Sequence, residues 1–198
     1  MKYLITGLGN IGFEYAETRH NIGFDVLDVF AVKHGLLFES DRLADKAVCK
    51  FKGRTLILIK PTTYMNLSGR AVKYWMDKEH IPVENTLTIH DDLAFALDTL
   101  KIRSGGSDGG HNGLKSIQES IGTTEYAKLR FGIGNQFPKG RQAEFVLGRW
   151  KDEEIPLVNV KVEASVKIIE SFASIGLSRT MNLFNHIKYH THQDHPTS

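Results

Sequence analysis

The apolar residues of this chain follow two rhythms. Short continuous runs at 3–8, 56–59 and 87–89 predict strands covered on both faces of a sheet. Spaced apolar positions at Phe24, Leu27, Val29, Phe30 and Ala31 predict a helix over 23–34, with Gly35 as its stop. Residues 46–51 and 54–60 flank Lys52-Gly53 and predict a hairpin with a tight turn, ended by Pro61. Helical patterns recur at 68–80, 112–121, 152–176 and 178–186, and shorter strands at 99–103 and 128–133. Pro82 and Gly122 punctuate the ends of two of these helices, and Pro156 falls in the first turn of the longest.

Strands and helices therefore interleave, which predicts the α/β class. The expected architecture is a single domain with a mixed, mainly parallel twisted sheet flanked by helices on both faces, a three-layer αβα arrangement. That domain is expected over 1–187, with a polar tail frayed from Lys188 onward, over 188–198. In open sheets of this kind, chemistry gathers beyond the carboxyl ends of the strands. Several predicted strands run out into polar residues there: Asn10 and His20 after the first, Asn66 after Lys60-Pro61, Asp91 after Ile89, and Asn112 after a glycine-rich loop.

Composition narrows the class. With 198 residues, 41% hydrophobic and 24% charged, the chain has an ordinary globular make-up and room for one substantial core. No apolar run reaches the roughly 18 residues of a membrane span. A strand directly at the amino terminus, without a signal-peptide pattern, and a single cysteine, Cys49, together predict a cytoplasmic setting. Net charge is only +2, but it is uneven. Between 101 and 141 stand Lys101, Arg103, Lys115, Lys128, Arg130, Lys139 and Arg141 against Asp108, Glu119 and Glu125, a net +4. Such a face suits an anionic polymer or a phosphate.

The polar cluster has a coherent chemistry. A neutral imidazole, His20, can take a proton from water, and a carboxylate bonded to it stabilises the imidazolium that forms. Asparagine amides can donate to a developing oxyanion, each such donor being worth about 3 kcal/mol. They can also pair with a peptide-like substrate. The set fits water-mediated hydrolysis of an activated carbonyl such as an ester, without a protein nucleophile. Gly7-Leu8-Gly9-Asn10-Ile11-Gly12 also matches the dinucleotide fingerprint, with Glu39 as the later acid. Against that alternative, an oxidoreductase, stands the polar stretch 13–21, where its helix should begin. Gly105-Gly106-Ser107-Asp108-Gly109 matches a nucleophile elbow, but a seven-residue loop with four glycines suits a phosphate better than a strained turn. His190, His192, Asp194 and His195 are metal-ligand types in a polar tail, and no metal is assigned to them.

The combined motifs resemble the bacterial-type peptidyl-tRNA hydrolases. The resemblance rests on Gly7-Leu8-Gly9-Asn10-x-Gly12 with Tyr15, Thr18-Arg19-His20-Asn21-x-Gly23, and the stretch from Lys60-Pro61 through Thr63-Tyr64-Met65-Asn66-Leu67-Ser68-Gly69. It extends to Asp91-Asp92-Leu93, Gly109-Gly110-His111-Asn112-Gly113-Leu114-Lys115, Leu129-Arg130-Phe131-Gly132 and Phe145-Val146-Leu147-Gly148, in register to about Asn185. It implies a monomeric, cofactor-free enzyme of the cytoplasm that cuts the ester between a peptide and the terminal ribose of tRNA. It implies His20 as the general base, Asp91 as its partner and Asn10 as the residue that separates blocked from free aminoacyl ends. Asn66 and Asn112 would contact substrate, Tyr15 and Tyr64 would line the groove for the tRNA 3′ end and the peptide, and Arg103 and Arg130, with His111 and Lys115 nearby, would meet the tRNA. Ile11, Ala96, Asp98 and Asp108 depart from the common pattern in loops only. A non-catalytic RNA-binding module is the alternative outside enzymes.

Overall fold

The structure, a computed structural model, describes residues 1–191. Seven strands form one sheet: β1 (Lys2–Gly7), β2 (Glu39–Asp41), β3 (Ala44–Phe51), β4 (Arg54–Pro61), β5 (Thr86–Asp92), β6 (Leu100–Ser104) and β7 (Ala127–Gly132). Their order across the sheet is β2-β3-β4-β1-β5-β7-β6. The central neighbours β4, β1, β5 and β7 run parallel, and the outer pairings, β2 with β3, β3 with β4 and β6 with β7, are antiparallel. The mixed, mainly parallel sheet expected from the interleaved pattern is present.

Alternation along the strands explains the two cores. Tyr3 and Ile5 on β1, and Leu56 and Leu58 on β4, join one cluster. Leu4, Ile57 and Ile59, between them in sequence, join the other. The first core is closed by α1 (Ile22–His34), α5 (Ile155–Ile175) and α6 (Leu177–Phe184); the second by α2 (Ser68–Glu79) and α3 (Asn112–Ile121). Continuous apolar runs in the central strands are thus a consequence of helices on both faces.

Two local features fix the geometry near the first strand. At the β3–β4 turn, Lys52 and Gly53 both adopt positive φ, 47° and 76°, the tight turn the sequence predicts. Where β1 meets α1, a Cβ on Gly7 would lie 2.2 Å from the Gly23 carbonyl oxygen, and one on Gly23 would lie 2.4 Å from the Leu8 nitrogen. Glycine at both positions lets the helix start against the strand end. That contact brings the 3-10 turn Arg19–Asn21, just before α1, over the carboxyl edge of the sheet.

Three elements differ from expectation. β2, with the exposed sequence Glu-Ser-Asp, has no apolar pattern to reveal it. A short helix, α4 (Gln142–Val146), has no buried residue and so left no periodic signal. Order also continues past Lys188: this residue bridges Thr99, and the Tyr189 amide donates to the Asp98 carbonyl at 2.9 Å. Tyr189 packs on the first core, so the chain is held beyond the expected boundary at 187. His192, Asp194 and His195 lie outside the described residues.

Candidate active site

The carboxyl ends of β1 and β5, the 3-10 turns at 19–21 and 65–67, and the start of α3 surround a cleft of about 1010 Å³. Asn10, His20, Tyr64, Asn66, Asp91, His111, Asn112 and Arg130 all line it. The structure places Tyr15, Arg103 and Lys115 off this lining. Arg103 and Lys115 are exposed, whereas the Tyr15 carbonyl accepts the Thr18 hydroxyl at 2.8 Å as part of the turn that carries His20.

Asp91 is the centre of the cluster. It is buried at the end of β5, and two imidazoles flank it. His20 Nδ1 lies 3.0 and 3.1 Å from the two carboxylate oxygens, and His111 Nε2 lies 2.9 Å from Oδ1. Burial alone would raise the carboxyl pKa, but the neighbouring His111 and the hydrogen bonds from His111 and His20 outweigh it and hold Asp91 far below the usual carboxylate range. The group is therefore a fixed negative charge.

Hydrogen bonds also decide the tautomers. His111 caps α3, its Nδ1 accepting the Gly113 amide at 3.1 Å. The proton of neutral His111 must then sit on Nε2, where it is donated to Asp91. Both nitrogens of His111 are thus used inside the protein, while its ring still lines the cleft. That leaves His111 no lone pair for a metal, although His20, Asp91 and His111 bring three ligand atoms within 4.8 Å of one another. His20 donates Nδ1–H to Asp91, which leaves its Nε2 lone pair able to accept a proton.

Asn10 is held with equal definition. Its amide donates to Asn21 Oδ1 at 2.8 Å, Asn21 Nδ2 returns a bond to the Asn10 carbonyl at 2.9 Å, and Asn10 Oδ1 accepts the Met65 amide at 2.9 Å. The Met65 N–H fixes which side-chain atom is oxygen, so Asn10 is left with its Nδ2 donors for the cleft. Asn66 and Asn112 are exposed on the same lining.

Sequence reasoning missed Asn21 as the clamp on Asn10, although it stands beside His20 in the motif. It also missed His90. The His90 ring is buried, donates Nδ1–H to the Asp91 carbonyl at 2.8 Å and meets the His111 ring edge-on at 5.3 Å. Burial, and then the nearby His111, lower its pKa to about 4, so it packs as a neutral ring.

The basic segment divides. Lys128 is buried, and its ammonium donates to the carbonyls of Gly105, Thr124 and Tyr126 at 3.1, 3.0 and 3.4 Å, so it ties the glycine-rich loop to the sheet. Arg130 lies over Phe95 and donates Nε–H to Asp92 at 2.6 Å. In the loop itself, Asp108 accepts from the Gly110 amide and from Gln118 Nε2.

The competing motifs fail on geometry. α1 begins only at Ile22, well past Gly12, and the Asn10 amide is already paired, so the first glycine turn offers no helix terminus to a pyrophosphate. Ser107 lies in a loop and not on a strand-to-helix elbow.

Comparison with known proteins gives one family. A profile described as peptidyl-tRNA hydrolase matches residues 4–193. A peptidyl-tRNA hydrolase of Phocaeicola vulgatus is 56% identical over 185 residues, covering 93% of this chain and 99% of that protein. The enzyme of Porphyromonas gingivalis is 51% identical over 93% of this chain and 100% of its own length. The crystal structure of peptidyl-tRNA hydrolase from Acinetobacter baumannii superposes with a TM-score of 0.89 at 34% identity, covering 94% of this chain and 95% of that one. A profile match of that length and relatives this similar end to end place the chain in the peptidyl-tRNA hydrolase family.

Proposed function

We propose that this protein hydrolyses the ester between a peptide, or an N-blocked aminoacyl group, and the 3′-terminal ribose of tRNA, using water activated by His20. The observation that carries the reading is the His20–Asp91–His111 arrangement, in which one imidazole nitrogen is left free beside a fixed carboxylate. His20 Nε2 accepts a proton as a water oxygen bonds to the ester carbonyl carbon. The negative Asp91 stabilises the imidazolium. Asn10 Nδ2–H donates to the carbonyl oxygen as charge develops on it. When the carbon–oxygen bond to the ribose breaks, the imidazolium returns its proton to the leaving hydroxyl. The products are a peptide carboxylic acid, which releases its proton to solvent as it ionises, and free tRNA, and no step calls on a cofactor.

Asn66, Asn112 and Tyr64 supply amide and aromatic contacts for the peptide and the tRNA 3′ end. Arg103, Lys115 and Arg130 meet its phosphates, with the chain acting as a monomer in the cytoplasm. Tyr15 supports the turn beneath His20. An assay comparing N-acetyl-aminoacyl-tRNA with free aminoacyl-tRNA tests the reading. The blocked substrate should be cleaved at least about tenfold faster. Equal rates on both, or binding without cleavage, would contradict it.

A further inference from the structure

The residue before His20 makes contacts that the hydrolytic scheme does not use. Arg19 is 4% exposed, although it is charged. Its guanidinium lies over the Phe145 ring at 4.3 Å and faces Trp150 at 5.3 Å. One Nη donates to the carbonyls of Phe145 and Arg149 at 3.3 and 2.9 Å, and the other to Glu154 at 3.0 Å. The Arg19 amide donates to the Gly148 carbonyl at 3.0 Å, and Thr18 bridges Arg149. Glu154 is itself oriented, because it accepts the Lys151 amide at 2.9 Å.

All of these partners belong to one segment, 145–154. That segment continues α4, whose residues Gln142, Ala143 and Val146, with Leu147 after it, form a wall of the cleft. α4 has no buried residue of its own. Phe145, Val146 and Trp150 pack only partly buried against the first core, and the buried Arg19 cation adds the polar attachment of the wall to the turn. A buried cation is costly unless its partners are in place. The fork and the segment are therefore energetically coupled.

We infer that Arg19 is a positioning residue: its guanidinium joins the 142–149 wall of the cleft to the turn that carries His20 and so sets the imidazole against substrate held by that wall. The next residue along the 3-10 turn is the base. Displacement of the turn moves Nε2 relative to a substrate seated on the wall, and misplacement of about 1 Å is worth up to roughly 100-fold in rate. Lysine cannot replace arginine here, since a point charge offers no planar fork and stacks poorly between two rings.

The inference rests on His20 being the base. Its test is kcat and KM for N-acetyl-aminoacyl-tRNA in Arg19→Lys, Phe145→Leu and Glu154→Gln, with the 15N shifts of the His20 ring and a melting curve for each. Arg19→Lys should lose at least about tenfold in kcat with shifted His20 resonances, and Phe145→Leu about threefold. Glu154→Gln keeps an acceptor for both of its donors and should stay within about threefold of the parent. A folded Arg19→Lys protein with kcat within about twofold of the parent, whether its melting temperature falls or only its KM rises, would overturn the inference. Should Arg19→Lys fail to fold, Phe145→Leu decides by the same criterion. His20→Ala run in parallel separates the two claims. If it retains the parent rate, the base assignment fails; if it is inactive while Arg19→Lys is not, only the role of Arg19 fails.

Discussion

Asp91 faces two hydrogen-bond donors, and only one of them can change. His111 is locked with its proton on Nε2 by the Gly113 cap, whereas His20 Nδ1 has no second constraint. In Asp91→Asn the amide oxygen will therefore turn to His111, and the NH2 group will face His20 and push its proton to Nε2. His20, the proposed base, would then hold its proton on the wrong nitrogen. A loss in kcat of about 100-fold or more is expected, by the logic that makes an aspartate-to-asparagine change severe in a Ser-His-Asp triad. A loss below about tenfold would show that the tautomer is not set in this way. His20, Asp91 and Asn10 were legible in the sequence because polar residues interrupt apolar strands there. The partnership of His111 with Asp91 was not, because it joins residues on different elements through a helix cap. Arg19 was hidden for a similar reason: its partners lie beyond residue 144 in sequence.

Among the elements, the approach of β1 and α1 is the tightest constraint near the site. A Cβ on Gly23 would meet the Leu8 nitrogen and the Ile89 carbonyl oxygen at 2.4 and 2.6 Å, and both are backbone atoms that cannot swing aside. Gly23→Ala should therefore displace the start of α1 and destabilise the fold by about 3 kcal/mol, read from the urea midpoint. An unchanged midpoint would mean that the helix start moves freely. The glycines of the opening motif thus serve close packing, where sequence pattern alone also allowed a nucleotide cradle. The helices of the two cores were readable from their apolar stripes, and α3 appears over the residues expected, Asn112–Ile121. α4 and β2 were not, because contacts distant in sequence hold α4 and edge pairing holds β2, and neither buries an apolar stripe.

At the scale of the whole molecule, charge acts in two distinct ways. Lys161 on α5 is fully buried beneath the Phe131 ring, and its ammonium donates to the Gly132 carbonyl at 2.6 Å. Burial lowers its pKa from 10.5 to about 7, against a smaller opposing pull from Asp98. As pH falls from 10.5 toward 7 the unfolded chain takes the proton first, so this residue removes stability across that window and adds no further loss below it. Compared with the parent, Lys161→Met should gain relative stability from pH 10 down to about 7 and level off below, as followed by chemical denaturation. A pH-independent difference would contradict the shift. The exposed charges are proposed to act on substrate instead. If Arg103 and Lys115 meet tRNA phosphate, KM should rise steeply with salt, and replacing either with alanine should lower the slope of log KM against log salt by about one. A flat salt response would make that face an ordinary surface. The proposed chemistry depends on one imidazole taking a proton from water. The most direct test is kcat of His20→Ala on N-acetyl-aminoacyl-tRNA, with circular dichroism confirming the fold. A loss of about 100-fold or more is predicted, the scale of a general base; a rate within about threefold of the parent would contradict the mechanism.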